Sequence, residues 1–321
     1  MNNLKYFLGV DGGGSKTTAA VFSSDGQYIC SACGESINYR SVGMKNARSA
    51  MAEIIGQLSV KEFDCAVIGS SALNGRATEE ETKSFCDGII KSKKIIMDSD
   101  LYIALEAADA EGECAAVISG TGSMTVMRNS EGKISTAGGW GYILGDEGSG
   151  YSIGLCGIKA AIRGFEDSTS ETALTQKCLQ YFGITNIYDL IDLYYNTSVS
   201  RKITAAFTKE VMLCAESGDK TAKDIVENEA KSLSKTVLSL LKDAKEDITI
   251  GLWGGVFQHN PIFTEKFINL LRKSGFCNVK LLSFTPELGA IVSCFREEGF
   301  QSLDIPKDRI IQEYSQVTSK A

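Results

Sequence analysis

The sequence predicts an α/β protein made of two similar halves, and three observations support that fold class. Short apolar runs alternate with segments of helical periodicity, which is typical of parallel strands covered by helices on both faces. A glycine-rich turn between two apolar runs occurs twice, first from Gly12 and again from Gly120. A repeat at this distance indicates duplicated domains rather than a solenoid, and 321 residues are enough for two domains of ordinary size.

The elements of the first half follow from their apolar spacing. Three strands are predicted as an antiparallel meander, at residues 6–10, 17–22 and 29–33. A helix is predicted over 46–58 because one face carries Ala47, Ala50, Met51, Ile54 and Ile55. Buried strands and a helix then alternate, as strand 65–69, helix 79–91 and strand 95–97. Ligands of such sheets lie off the carboxyl ends of the strands.

The second half repeats the hairpin and then becomes largely helical from about residue 170 to 244. One long amphipathic helix is predicted to begin after Gly218 and Asp219, with its apolar stripe in the core. A strand over 248–252 is followed by two glycines, which admit a flat ring or a ribose closely. A strand over 279–282 and a last helix over 286–295 complete the prediction, and the tail from Gln301 carries no usable signal.

Composition excludes several classes of protein. The net charge of −7, a pI of about 5.1 and the lack of a Lys/Arg cluster argue against a nucleic-acid partner. No apolar run is long enough for a signal peptide or a membrane span, so we expect a cytoplasmic protein. The ten cysteines are scattered, mostly in apolar surroundings, and are expected to be reduced and buried. Cys30 and Cys33 have CxxC spacing, but without a second pair they do not predict a zinc or redox site.

The first glycine-rich turn suits a bound phosphate. Because residues 12–14 are all glycine, their backbone N–H groups can approach an anion closely, and Ser15 and Thr17 add hydroxyl donors. Asp11 ends the preceding strand and would repel a phosphate unless a cation lay between them. The pattern therefore indicates phosphate with Mg²⁺ held mostly through water and phosphate oxygens. A plain hairpin turn is the alternative.

The chain resembles a known superfamily in segments spread over most of its length. The matching segments are the opening turn and residues 34–38, 99–105, 118–123, 137–154 and 251–260. Together they resemble the sugar kinase, Hsp70 and actin superfamily of ATPases, whose two phosphate loops are hairpins of this kind. Within it, the resemblance is to the N-acetylglucosamine kinases and the related BadF/BadG/BcrA/BcrD ATPase family.

This resemblance implies two duplicated ribonuclease H-like domains flanking an ATP cleft. Residues 1–110 would bind phosphate and sugar, and residues 111–321 would bind phosphate and adenosine, carry a helical insertion and return a last helix to the first domain. ATP and Mg²⁺ would be the cofactors, with Asp11 near the metal, and a homodimer is expected. The implied nucleotide contacts are Gly12, Gly13, Gly14, Ser15, Lys16, Thr17, Gly120, Thr121, Gly122, Ser123, Gly254 and Gly255.

Asp100 is the predicted catalytic base. A strand runs into acidic residues and then into a helix, so a carboxylate there is either a helix cap or a base. In phosphoryl transfer to an alcohol, such a carboxylate accepts the proton of the attacking hydroxyl. Asp100, followed by Leu-Tyr-Ile-Ala-Leu, matches the family's catalytic Asp, which is usually preceded by Asn and here by Ser99. Asp98 is the second choice.

The remaining candidates would contact the sugar. Asn38 follows the third strand, and its amide can donate to and accept from a hydroxyl, although a turn-forming Asn is the alternative. The seven glycines of residues 137–154 predict a tightly turned loop before a helix over 151–163. The resemblance implies that Asp146 holds the sugar and that Gly139 and Trp140 line its pocket. On a purely structural interpretation, Asp146 is a turn residue, Ser149 caps the helix and Trp140 packs beneath the loop.

The function that these implications favour is ATP-dependent phosphorylation of an amino sugar, with conversion of N-acetyl-D-glucosamine to its 6-phosphate first among the candidates. Glucosamine or N-acetylmuramic acid could replace that substrate. A different class of function is an ATPase that activates a partner enzyme such as a 2-hydroxyacyl-CoA dehydratase. Those activators carry a Cys-Ala-Ala-Gly-Thr-Gly type of segment, which this sequence lacks.

Overall fold

The structure is a computed structural model that describes residues 4–14, 16–108, 112–196, 199–282 and 284–318. The chain divides into two compact units. Unit 1 comprises Met1–Cys114 and Leu282–Ala321, and unit 2 comprises Ala115–Leu281. Within the described ranges, no helix has the length and apolar character needed to span a membrane.

The strands of the described residues form two sheets. In chain order they are β1 (Tyr6–Gly12), β2 (Thr17–Ser23), β3 (Tyr28–Gly34), β4 (Glu62–Ser70), β5 (Lys91–Ser99), β6 (Cys114–Ser119), β7 (Ser123–Arg128), β8 (Ile134–Gly138), β9 (Thr249–Trp253) and β10 (Val279–Leu281). Every strand predicted from the sequence is present, with ends extended or shifted by a few residues.

The helices cover the sheets and build the insertion of unit 2. In chain order they are α1 (Tyr39–Val42), α2 (Met44–Gln57), α3 (Glu79–Cys86), α4 (Asp100–Ala108), α5 (Gly150–Glu166), α6 (Ala173–Phe182), α7 (Asp189–Asn196), α8 (Arg201–Ala206), α9 (Thr208–Glu216), α10 (Lys220–Leu240), α11 (Gly255–His259), α12 (Pro261–Lys273), α13 (Pro286–Glu297) and α14 (Lys307–Thr318). The long amphipathic helix is α10, which begins after Asp219 as the sequence predicted, and the Asp219 side chain caps its first turn.

The sheet of unit 1 has the order β3-β2-β1-β4-β5. β1 pairs antiparallel with β2 and parallel with β4, and β4 pairs parallel with β5. Alternate residues of β1 enter two different cores, because Leu8 and Val10 pack with α2 whereas Phe7 packs with α13 and α14. Both faces of this sheet are therefore covered, as the buried strands predicted.

The sheet of unit 2 has the order β10-β9-β6-β7-β8. Counted from its other edge, its strands β8, β7, β6, β9 and β10 take the places of β3, β2, β1, β4 and β5 in unit 1. Each unit thus has a central strand that ends in a glycine-rich turn and leads into the neighbouring strand of the same sheet. The predicted duplication is confirmed at the level of strand order. The core of unit 2 is one apolar cluster to which α5, α9, α10 and α12 all contribute.

Two helix predictions were wrong. The helix predicted over 79–91 ends at Cys86, because Gly88 has a positive φ of 74° and β5 begins at Lys91. The helix at Pro286 is not the last one, since α14 follows it. α14 is fixed to the turn between β2 and β3, where Arg309 donates to the carbonyl of Asp25 over 2.9 Å.

None of the ten cysteines forms a disulfide, and most of them are buried. Burial was predicted correctly for Cys65, Cys86, Cys178, Cys214 and Cys294, while Cys156 is half-buried. Cys30 and Cys33 both lie on β3, where a spacing of three places them on opposite faces.

Candidate functional site

The first glycine-rich turn lies at the carboxyl end of β1. Asp11 is paired with Thr18 of β2 on one side and with Gly69 of β4 on the other. Gly12 is buried against Ile37, whereas Gly14 is exposed and has open space around it. Gly13 is half-buried, and Lys16 is exposed. Ser15 lies outside the described residues, so the accessible phosphate candidates of this turn are Gly13, Gly14 and Lys16.

Thr17 and Asn38 are engaged within the protein. The hydroxyl of Thr17 is fully buried and accepts a hydrogen bond from the backbone N–H of Ile37 at 3.2 Å. The Asn38 side chain caps α1: its Oδ1 accepts from the N–H groups of Arg40 and Ser41, and its Nδ2 donates to Ser71 Oγ at 3.0 Å. Asn38 therefore has a structural role, in agreement with the alternative of a turn-forming Asn. One hydrogen of its side-chain amide is left for a ligand.

Carboxyl groups converge near the end of β1. Burial raises the pKa of Asp11 well above its usual value, the carboxylates of Glu287 and Asp100 raise it further, and Lys16 opposes them. Asp100 is the first residue of α4, and its Cα lies 3.3 Å from the position that a Cβ on Gly69 would take. The structure thus brings the predicted base and the predicted metal-site residue together at one sheet edge.

The two candidate bases differ in their surroundings. Burial raises the pKa of Asp100 to about 6, and the N–H groups of Leu101 and Asp100 itself oppose that rise. Asp98 is 7% exposed, and its Oδ1 accepts from the N–H of Ser99 at 2.7 Å. Burial also raises the pKa of Asp98. Asp100 is less buried than Asp98 by solvent exposure and is the better placed of the two to reach a ligand.

Glu287 was not predicted as part of this region. It is buried in the first turn of α13, and its Oε1 accepts from the hydroxyl of Tyr314 in α14 at 2.8 Å. The backbone carbonyl of Glu287 also lies directly against Gly9, on the same face of β1 as Asp11. Only this long-range packing connects Glu287 with Asp11, so no local sequence signal could have found it.

A divalent cation fits the charge of this region but has few protein ligands available. Among the described residues, no group of three or more His, Cys, Asp or Glu side chains is arranged to hold a metal. A cation beside Asp11 would relieve the repulsion between its carboxylate and those of Asp100 and Glu287. Most of its ligands would be water and phosphate oxygens, as is usual for Mg²⁺ bound with a nucleotide.

The second glycine-rich turn is braced by the start of α5. The N–H of Gly150 donates to the carbonyl of Gly120 at 2.8 Å, and the N–H of Tyr151 donates to the carbonyl of Thr121 at 3.3 Å. The hydroxyl of Ser123 donates to the carbonyl of Glu147 at 2.8 Å. The carbonyls and the hydroxyl of this turn are therefore fixed by the segment that follows β8.

Asp146 lies directly against this second turn. It is 4% exposed and, among the described residues other than glycine, has the only positive φ, at 65°. A Cβ on Gly122 would lie 2.9 Å from its Oδ2. Burial raises the pKa of Asp146, whereas the N–H of Ser123 and the positive charge of Arg201 lower it. Asp146 is therefore a turn residue, and Ser149 caps α5 by accepting from the N–H of Ser152. Both observations agree with the purely structural interpretation of these two residues.

Glu229 of α10 holds the same segment from the opposite side and was not predicted. Its Oε2 accepts from the N–H of Gly148 at 2.7 Å, and its Oε1 accepts from the thiol of Cys156 at 3.5 Å. Gly148 has a φ of 71° and packs on Leu233, with no room for a side chain. The available sequence signal was an acid one turn before Leu233, within the predicted amphipathic helix.

The remaining candidates of unit 2 lie at the ends of the same sheet. Trp140 is 75% exposed, so it does not pack beneath the loop, and Gly139 beside it is also exposed. Gly254 has a φ of 107°, and a Cβ there would overlap the backbone of Ser119 at the end of β6. Gly255 is exposed at the start of α11. The two glycines after β9 thus lie next to the second turn, where Gly254 is packed against the backbone and Gly255 is accessible.

A family model described as the BadF/BadG/BcrA/BcrD ATPase family matches residues 8–292. The chain belongs to this family. Its membership implies the use of ATP, and α14 lies beyond the matched range. An N-acetylmuramic acid/N-acetylglucosamine kinase from Clostridium acetobutylicum is 32% identical over 305 residues, which cover 90% of this chain and 98% of that protein.

One further relative and one solved structure are similar to most of the chain. An N-acetyl-D-glucosamine kinase from Dictyostelium discoideum is 28% identical over 307 residues, covering 88% of this chain and 96% of that protein. A solved structure assigned as an N-acetylglucosamine kinase from Chromobacterium violaceum superposes with a TM-score of 0.71 at 21% identity, covering 90% of this chain and 98% of that one. At that identity the likeness shows the fold, and it confirms the predicted α/β class.

Proposed function

We propose that this protein transfers the γ-phosphoryl group of ATP to an amino sugar, with the 6-hydroxyl of N-acetyl-D-glucosamine first among the acceptors. The observation that carries the proposal is the placement of Asp100 beside Asp11 at one sheet edge. The names of the two relatives that align over most of the chain support the substrate class. Glucosamine and N-acetylmuramic acid are the alternative acceptors.

Asp100 would act as the base in this reaction. A carboxyl with a pKa of about 6 is mostly ionised at neutral pH, yet it is a stronger base than an ordinary aspartate. It would accept the proton of the sugar hydroxyl as the new bond to phosphorus forms. Asp11 would hold Mg²⁺ through water, and the cation would neutralise charge on the transferred phosphoryl group.

The other candidates would position the two substrates. In unit 1, we assign Gly12, Gly13, Gly14, Lys16 and Thr17 to one phosphate site, in which the buried Gly12 and Thr17 act by fixing the turn, and Asn38 to the sugar. In unit 2, we assign Gly120, Thr121, Gly122 and Ser123 to a phosphate site, Gly254 and Gly255 to adenosine, and Gly139, Trp140 and Asp146 to the sugar. The buried position of Asp146 supports a role in which it both braces the second turn and orients the sugar.

Coupled ADP release across a panel of sugars tests the proposal. With Mg²⁺ and ATP, we expect turnover that depends on an amino sugar and falls by about 100- to 10,000-fold in Asp100→Asn. Asp98→Asn is the matched control and should retain more activity. ADP formed at the same rate without sugar, together with an iron–sulfur absorption band in anaerobically purified protein, would instead support the partner-activating ATPase.

We also propose a homodimer in the cytoplasm. The homodimer is carried by the family resemblance, and the free thiols of the described cysteines suit a reducing compartment. Sedimentation equilibrium at micromolar concentration tests the assembly, and a single species at the mass of one chain would contradict it.

A further inference from the structure

Arg201 is held beside the candidate sugar residues of unit 2 by close helix packing. It is the first residue of α8, where Ser200 Oγ accepts from the N–H of Ile203. One turn further along α8, Thr204 lies against Gly154 of α5 with no room for a side chain between them, and Ala205 is in contact with Gly150. This packing fixes the start of α8 relative to the first turn of α5 and hence relative to Asp146.

The guanidinium of Arg201 stacks on the loop that carries the candidate sugar residues. Its carbon lies 5.5 Å from the ring centre of Tyr142, and that ring meets Tyr151 edge to face at 4.9 Å. The positive charge lowers the pKa of both Asp146 and Tyr151 against the effect of burial. Arg201 therefore lies against the loop that carries Asp146 and can act electrostatically on a ligand bound there.

The edge of this guanidinium is available to a ligand. In the described part of the chain, no carboxylate forms a salt bridge with Arg201, and the residue is exposed. An arginine whose face rests on an aromatic ring still presents its N–H groups along the edge, in a geometry that matches a carboxylate with two parallel hydrogen bonds. Because the protein has a net charge of −7, an anionic substrate needs a local cation of this kind.

We propose that Arg201 binds the carboxylate of an acidic amino sugar, of which N-acetylmuramic acid is the example, and so extends the acceptor range beyond neutral sugars. The inference rests on the proposed sugar kinase activity and adds a specificity-determining residue to it. It agrees with the name of the relative at 32% identity, which includes both an acidic and a neutral acceptor.

The test compares two acceptors that differ by one methyl group, which removes the negative charge. The kcat/KM is measured for N-acetylmuramic acid and for its neutral methyl ester in wild type, Arg201→Gln, Arg201→Lys and Lys202→Gln. Wild type should prefer the acid, and Arg201→Gln should reduce the acid-to-ester ratio by about 10-fold or more, since a charged pair of hydrogen bonds is lost. The acid-to-ester ratio of Arg201→Lys should lie between those of wild type and Arg201→Gln, because lysine keeps the positive charge but cannot donate two parallel hydrogen bonds. Lys202→Gln makes the same charge change one residue away and should leave the ratio unaltered.

Three outcomes would overturn the assignment. Wild type could use acid and ester equally well, Arg201→Gln could slow both acceptors by the same factor, or Lys202→Gln could reduce the ratio as much as Arg201→Gln. If Arg201→Gln is poorly folded, the wild-type ratio is measured against KCl concentration, and a ratio that does not fall with salt contradicts the proposal. Absence of turnover with every sugar, neutral ones included, would reject the kinase itself rather than the role of Arg201 alone.

Discussion

The two sheets share one strand order, but the turns that follow their central strands are used differently. In unit 1 the turn after β1 is open at Gly14, and the pKa of Asp11 beside it is raised by burial and by neighbouring carboxylates. In unit 2 the turn after β6 is contacted on several sides by residues 146–151. One copy of the motif is therefore accessible and surrounded by acids, whereas the other is packed against a second segment of chain.

This difference shows how a duplicated fold can separate two tasks. The carboxyl edge of an α/β sheet presents backbone N–H groups and side chains to a ligand. Unit 1 places partly buried carboxyls there, which suits proton transfer and a bound cation but costs stability. Unit 2 places a glycine-rich segment there, whose hydrogen bonds fix the shape of the turn. We infer that unit 1 supplies reactive groups and that unit 2 supplies a rigid surface.

The largest expected effect is at Asp100 and concerns activity. If unit 1 supplies the base, kcat/KM of wild type should fall as the pH is lowered through about 6, because the base becomes protonated below that pKa. Asp100→Asn should have about 1% or less of wild-type kcat and should lose this dependence on pH. The measurement is a pH profile of coupled ADP release between pH 5 and 8. A profile that stays unchanged in Asp100→Asn would assign the base elsewhere, with Asp98 as the next candidate.

A smaller effect, on stability, contrasts one glycine from each unit. Gly254→Ala forces a side chain into a φ of 107° and against the backbone of Ser119, so it should lower the free energy of unfolding by about 3 kcal/mol or more. Gly14→Ala meets no neighbouring atom, and its φ is not positive, so it should change that free energy by less than about 1 kcal/mol. Urea denaturation of both variants measures the difference. Equal losses would contradict the contrast between an accessible Gly14 in unit 1 and a packed Gly254 in unit 2.

Most of the fold could be predicted because its signals are local. The positions of the strands, the buried face of α2 and the start of α10 after Asp219 all depend on residues close to each other in sequence. The duplication was also visible, since both copies keep a glycine-rich turn after an apolar strand. α14 was missed because its buried residues, Ile310 and Tyr314, lie in a segment that is otherwise mostly charged and polar. They become buried only against distant residues such as Phe22.

The candidate site was less predictable because its side chains are partnered over long distances. Thr17 and Asn38 have residue types that suit a ligand, yet their hydroxyl and amide groups bond to Ile37, to α1 and to Ser71. Glu229 and Glu287 carry no motif, and each acts on a segment far away in the chain. A sequence pattern indicates which groups could bind a ligand, but only packing decides which of them are already occupied.

The stability of Asp100→Asn should show the cost of a reactive group in unit 1. The folded-state pKa of Asp100, about 6, lies above its ordinary value of 3.8, so folding favours the protonated form. That favourable contribution is complete below pH 3.8 and is lost as the pH rises through about 6. Asp100→Asn should therefore be more stable than wild type at pH 8 by about 1–2 kcal/mol and gain little at pH 4. Urea denaturation at both values measures this, and an equal gain at both would assign it to packing instead of charge.

The smallest expected effect tests how unit 2 positions its substrate. Glu229→Leu removes the acceptor for the N–H of Gly148, two residues from Asp146. The segment should become looser, and the KM for the sugar should rise about 10-fold while kcat changes by less than about 3-fold. Glu229→Gln keeps a carbonyl acceptor and should restore most of the affinity. Glu227→Gln is the matched control, because Glu227 lies on the same helix and pairs only with Lys231 and Lys266 among the described residues.

In Glu229→Leu, comparing the KM for the sugar with the KM for ATP decides which of the two substrates residues 146–150 help to bind. If Asp146 orients the sugar, Glu229→Leu should raise the sugar KM and leave the KM for ATP nearly unchanged. A rise in the KM for ATP alone would mean that residues 146–150 act only by shaping the second phosphate turn, to which the Gly150 N–H and the Ser123 hydroxyl connect them. The rigid surface of unit 2 would then belong to the nucleotide, and recognition of the sugar would have to come from other residues.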